Sequence, residues 1–114
     1  MRAADRAFAA EDWETAISRA YYALYHGVIA VTETKTGVSY NRWDHVQLQN
    51  DFRIHFSNRG FLFSAADARD FARLFEARLV ADYGRETLRR PEVRTLMMKA
   101  RSLHEKIGEV VRDA

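Results

Sequence analysis

The sequence predicts an all-α fold, an antiparallel bundle of four main helices with a short N-terminal helix before them. Three observations carry this expectation. Apolar residues recur at alternating three and four spacing through four separate stretches, and no stretch of useful length alternates apolar and polar residues as a half-buried strand does. One proline and five glycines leave little to interrupt helices. A chain of 114 residues has room for one core, so residues 1 to 114 read as a single domain in which roughly two thirds of the unfolded surface can be buried.

Arg2 to Ala10 is alanine-rich and forms the short first helix, whose role is packing. Asp12 offers an N-cap with Glu14 in the first turn, where the helix dipole favours negative charge, so the central helix begins at residue 12 and ends near 34. One apolar row on it is Trp13, Ile17, Ala20, Leu24, Gly27 and Val31, and a second is Ser18, Tyr22, Tyr25 and Ile29. Two faces therefore seek partners. Thr15, Arg19, His26 and Glu33 fall on nearly one polar line, because seven residues advance a helix by almost two turns. Gly27 inside the helix costs about 1 kcal/mol relative to alanine, which predicts that another backbone or a bulky ring approaches there.

Residues 35 to 43 have no apolar period and form the longest loop, a frequent location of function. Asp44 with Gln47 opens a helix over 44 to 57 whose buried row is His45, Leu48, Phe52 and either His55 or Phe56. Ser57-Asn58-Arg59-Gly60 is turn chemistry, and Ser64 with Asp67 starts a helix over 64 to 83 with the core row Ala68, Phe71, Ala72, Phe75 and Leu79. Arg78 falls at the edge of that row, and Asp82, four residues on, is its expected structural partner. Removing Arg78 would then leave a buried carboxylate, at a cost on the order of 3 kcal/mol. Gly84 is the C-cap. Pro91 starts the last helix, 91 to 112, with the row Val93, Leu96, Ala100, Leu103, Ile107 and Val110, and with Arg94 and Arg101 on a solvated face.

The absence of cysteine excludes disulfides and thiolate chemistry. No apolar run approaches the roughly 18 residues of a membrane span, and the N-terminus lacks a signal-peptide core, so the expected location is the cytoplasm with no membrane partner. Net charge is only +2, yet fifteen of the eighteen basic residues are arginine, the side chain suited to bidentate contact with phosphate or carboxylate. Sixteen acidic residues offset them, a weaker footprint than nucleic-acid-binding domains usually show. No glycine-rich phosphate loop or exposed nucleophilic serine is present. His45 and His55 stand about 15 Å apart along one helix, too far to share an ion, so neither a metal site nor a cofactor is expected. A neutral imidazole hydrogen-bonded within the bundle accounts for each of these histidines most simply. The candidate ligand-binding residues are Arg19, Tyr22, His26 and His45.

The run Ile17-Ser18-Arg19-Ala20-Tyr21-Tyr22-Ala23-Leu24-Tyr25-His26, then His45-Val46, Phe52, Phe56, Gly60, Leu62, and Arg78 with Ala81-Asp82-Tyr83, closely resembles the HEPN domain family. The resemblance covers about residues 10 to 108 and points to the small stand-alone prokaryotic branch. It implies a helical bundle, homodimers, and association with small nucleotidyltransferase proteins, often as a toxin and antitoxin pair. Many members are metal-independent RNA endonucleases, which use an arginine followed after four to six residues by a histidine. Here Arg78 is followed by no such histidine; Asp82 stands in its place, and a carboxylate cannot supply the same cationic general acid at neutral pH. Arg19 and His26 have that spacing but lie on the central helix, about 10.5 Å apart along its axis, which suits anion binding better than in-line chemistry. Two readings stay open, a module that binds nucleotide or RNA phosphates and a metal-independent ribonuclease, the first favoured; structural homodimerisation is compatible with either. The homodimer is also expected from the two apolar faces of the central helix and from Tyr40, Trp43 and Phe61 in the loops.

Overall fold

The computed structural model describes residues 1–56, 63–84 and 88–112. Five helices account for its architecture: α1 (Arg2–Ala9), α2 (Trp13–Thr36), α3 (His45–Phe56), α4 (Ala65–Tyr83) and α5 (Arg90–Arg112). No strand occurs among the described residues. The fold is an all-α bundle with a short N-terminal helix. The expected turn at Ser57-Asn58-Arg59-Gly60, and Phe61 and Leu62 after it, lie outside the described residues.

α2 is the hub, packing against each of the other four helices, while α4 also touches α3 and α5. Its fully buried residues are Ala16, Ile17, Ala20, Tyr21, Leu24, Val28 and Val31. Four residues of the first expected row, Ile17, Ala20, Leu24 and Val31, are fully buried, and Tyr21 and Val28 extend it toward the second row, of which Ser18, Tyr22, Tyr25 and Ile29 are only half-buried. The helix also runs two residues past 34. Thr32 and Thr36 donate their hydroxyls to the carbonyls of Val28 and Thr32 at 2.9 and 2.6 Å, and Gly37, at φ 72°, caps the end by donating its N–H to the Glu33 carbonyl. The group that requires Gly27 is neither ring nor backbone. A Cβ there would lie 2.9 Å from Ile107 Cγ2, so the missing side chain lets α5 approach α2.

On α3, Phe56 takes the buried position and His55 is exposed. Asp44 caps this helix, accepting from the Gln47 N–H at 2.8 Å. α4 opens with a complete capping box: Asp67 N–H donates to Ser64 Oγ, and Ser64 N–H donates to Asp67 Oδ2. Lys106 of α5 reaches the same carboxylate at 2.6 Å. The core row of α4 is Ala68, Phe71 and Leu74, with Phe75 half-buried, and Leu79 turns outward at 38% exposure. Continuing the row from Phe71 and Phe75 by one helical step brings Arg78, not Leu79, onto the inner side. Gly84 closes α4 through its N–H to the Val80 carbonyl, in an extended rather than a left-handed conformation. On α5, Val93, Met97, Ala100, Leu103 and Ile107 are buried, while Leu96 and Val110 are half-buried. Arg101 does not stand alone on a solvated face; it pairs with Asp5 at 2.7 Å and so ties α5 to α1. No helix is long and apolar enough to cross a membrane among the described residues.

Candidate functional site

Two adjacent turns of α2 place Tyr21, Tyr22, Tyr25 and His26 beside the first turn of α3 and the last turns of α4. Tyr21 is fully buried, its ring parallel to that of Phe71 at 5.8 Å, and its hydroxyl lies 2.6 Å from Nδ1 of His45. Burial pushes the Tyr21 phenol far above its ordinary range, with the neighbouring Tyr25 adding to the effect, so the hydroxyl stays protonated. Since His45 is its one hydrogen-bond partner among the described residues, its proton is satisfied only if it donates to Nδ1. His45 is shifted the other way. Burial lowers its pKa, the Arg78 charge lowers it further, and Asp44 opposes both. A neutral imidazole accepting at Nδ1 must carry its proton on Nε2, which is thereby the ring's donor. The ring is held in place by Tyr25, with centroids 4.6 Å apart, and by Phe75 at 5.5 Å. Tyr25 in turn donates its hydroxyl to the Trp43 carbonyl at 2.7 Å, fixing the loop end that precedes α3.

On the other side of Tyr22 stands Arg78. Its Nη2 donates to the Tyr22 hydroxyl at 2.8 Å, and the guanidinium carbon lies 5.3 and 5.7 Å from the ring centroids of Tyr22 and Tyr83. Its Nε is 2.9 Å from Asp82 Oδ2, a charge contact in which the N–H is not aimed at the oxygen. The Arg78 side chain is 13% exposed and that of Asp82 is 29% exposed. The carboxylate is therefore not buried, contrary to the sequence expectation, because the end of α4 leaves it at the rim where water reaches one side.

A family model for the HEPN domain matches residues 1–110. The chain belongs to the HEPN domain family. Neither the curated proteins nor the solved structures yield a match to it. The match begins at residue 1 rather than 10, so α1 lies within the HEPN domain. Membership supports a nucleotide- or RNA-associated module, and HEPN domains often dimerise.

Within this HEPN domain Tyr22 is the shared neighbour of the residues singled out from sequence. The His26 and His45 rings lie 6.4 and 6.3 Å from its own. Arg19 meets it along a groove of about 300 Å³ lined also by Glu14, Thr15, Ser18 and Asp82. Arg19 and His26 are exposed, whereas His45 and Tyr22 are half-buried. His55 takes no part and faces solvent. Among the described residues no three histidine, aspartate or glutamate side chains converge as a cation site. Tyr21, Arg42 and Trp43 were not among the site residues read from the sequence. The signal that could have found Tyr21 is its place in the row 17, 21, 24, 28, 31, which the two rows drawn on the helix do not include. Arg42 and Trp43, which with Tyr25, Asp44 and His45 line a hollow of about 470 Å³, sit in a loop where no periodicity marks position.

Proposed function

We propose that this HEPN domain is a binding module for nucleotide or RNA phosphates. We further infer that residues 1 to 114 act as one unit of the small stand-alone prokaryotic branch, a cytoplasmic homodimer that partners a small nucleotidyltransferase in a toxin and antitoxin pair. One observation carries the choice of binding over cleavage. Asp82, taken from the sequence as standing in the histidine's place, has only three residues between it and Arg78. Tyr83, Gly84 and Arg85 hold the nuclease spacing, none of them is a histidine, and Arg78 is committed to Asp82 and to the Tyr22 hydroxyl. That arginine neutralises a protein carboxylate instead of a phosphorane. Arg19 and His26, by contrast, are exposed and have no ion-pair partner among the described residues, so their donors are available to an anion.

The ribonuclease reading has one observation in its favour: His45 and Arg78 approach Tyr22 from different helices, which brings the two required side-chain types together without a shared motif. Against it, His45 has Nδ1 occupied and Arg78 is nearly covered. Equilibrium binding of a labelled single-stranded RNA at low and at physiological salt tests the proposal. Binding should saturate and weaken with salt, and should weaken further in Arg19→Ala and His26→Ala with unfolding midpoints unchanged. No binding at low salt would defeat it. Co-expression with the adjacent reading frame tests the partnership, and failure to recover a complex would remove that part.

A further inference from the structure

The hollow bounded by Tyr25, Arg42, Trp43, Asp44 and His45 has a volume of about 470 Å³, within the range of small-ligand sites. It shares Arg42, Trp43 and Asp44 with a second hollow of about 270 Å³ that Tyr40, Gln47 and Asp51 complete. The walls are held from behind. Trp43 is fixed at its carbonyl by Tyr25 and braced by Tyr40, whose ring meets the indole edge-on at 4.8 Å and 84°. Asp44 is oriented by its bond from the Gln47 N–H, and His45 by Tyr21.

What these groups offer is specific in kind. Trp43 and Tyr25 supply flat apolar surface, against which a nucleobase stacks regardless of its identity. Arg42 is exposed and has no ion-pair partner among the described residues, so its guanidinium can meet a phosphate in bidentate fashion. Asp44 provides an acceptor for hydroxyl or amino groups, and the His45 ring provides one N–H donor. A single negative charge in this lining also disfavours a polyanion that has no base or sugar to offer in return. We propose that Arg42, Trp43, Asp44 and His45, backed by Tyr25, form a site for one nucleotide, its base against the indole and its phosphate on Arg42. The occupant is either a free nucleoside phosphate or one residue of a single-stranded RNA; both present the same chemistry. This proposal rests on the nucleotide or RNA reading above but names residues that reading does not need.

Trp13→Phe leaves Trp43 as the only tryptophan and makes it the reporter. In that background, titration with AMP and with a short oligoadenylate should quench the fluorescence saturably, while inorganic phosphate should not. Arg42→Ala, an exposed position, should weaken binding about tenfold, the loss of one charge-assisted contact. Quenching by AMP identifies a free nucleotide as a sufficient occupant; quenching by the oligomer alone identifies an RNA residue, and either supports the site. Calorimetry on Trp43→Leu, with folding checked by its unfolding midpoint, should show the same ligand lost. RNA binding that persists unchanged in Arg42→Ala and Trp43→Leu would overturn this site while leaving the general reading intact. No binding of any of these ligands to the wild type would overturn both.

Discussion

At the scale of single residues, His45 is the most informative side chain, because its Nδ1 meets the core hydroxyl of Tyr21 while the residue also lines the hollow beside Arg42 and Trp43. His45→Ala would leave the buried Tyr21 hydroxyl without a partner, at a cost of about 1–3 kcal/mol by urea unfolding, whereas Tyr21→Phe combined with it should recover part of the loss. The titration has a definite sign. His45 and His104 are both held below the ordinary histidine value, chiefly by burial, so below about pH 6.5 the unfolded chain binds protons that the native one resists. Stability is therefore full above that pH and falls as pH drops through it, and a series of unfolding midpoints from about pH 7.5 to about pH 5.5 should be flatter in His45→Gln. Arg78→Ala should lower stability by about 1–2 kcal/mol rather than the 3 expected for a buried pair, since Asp82 retains water on one side. Arg78→Lys should restore little of this, because an ammonium cannot serve Tyr22 and Asp82 as a planar fork does. The Arg78 and Asp82 contact was legible from four-residue spacing on one helix. Tyr21 and His45 were not legible as a pair, since 24 residues separate them and only the packing of α3 on α2 joins them.

At the scale of elements, starts were easier to read than phases. Asp12, Asp44 and Ser64 cap their helices through bonds three residues long, so local sequence suffices to find them. The buried faces of α2 and α4 were read short of one long side chain each, Tyr21 falling between the two rows drawn on α2 and Arg78 being taken as an edge residue, although such side chains bury most of their length when their tips find partners. Tyr21 and Arg78 are the two instances, and both belong to the site. Gly27 is the tightest point between elements. Alanine normally gains about 1 kcal/mol over glycine in a helix, but at 2.9 Å from the branched methyl of Ile107 the added Cβ forces α2 and α5 apart. Gly27→Val should therefore destabilise by about 1–3 kcal/mol in chemical unfolding, and Ile107→Ala should make the added volume easier to accept.

At the scale of the molecule, the fold class was legible because helical periodicity, caps and the shortage of breakers all agree, while the assembly depends on surfaces that periodicity does not describe. Tyr40, Val46, Tyr83 and Met98 are exposed large apolar side chains, and the proposed homodimer would have to cover surface of this kind. Light scattering at micromolar concentration should report a dimer; a strict monomer would remove any site composed across two copies. On the function proposed above, this HEPN domain holds RNA or nucleotide phosphates without breaking them. The measurement that tests this most directly is incubation of the purified wild type with single-stranded RNA in the presence of a chelator, reading both retention and length of the RNA. The expected result is intact RNA that is retained by the wild type and less so by His26→Ala. Robust cleavage that disappears in His26→Ala would contradict the account and make this chain a metal-independent ribonuclease.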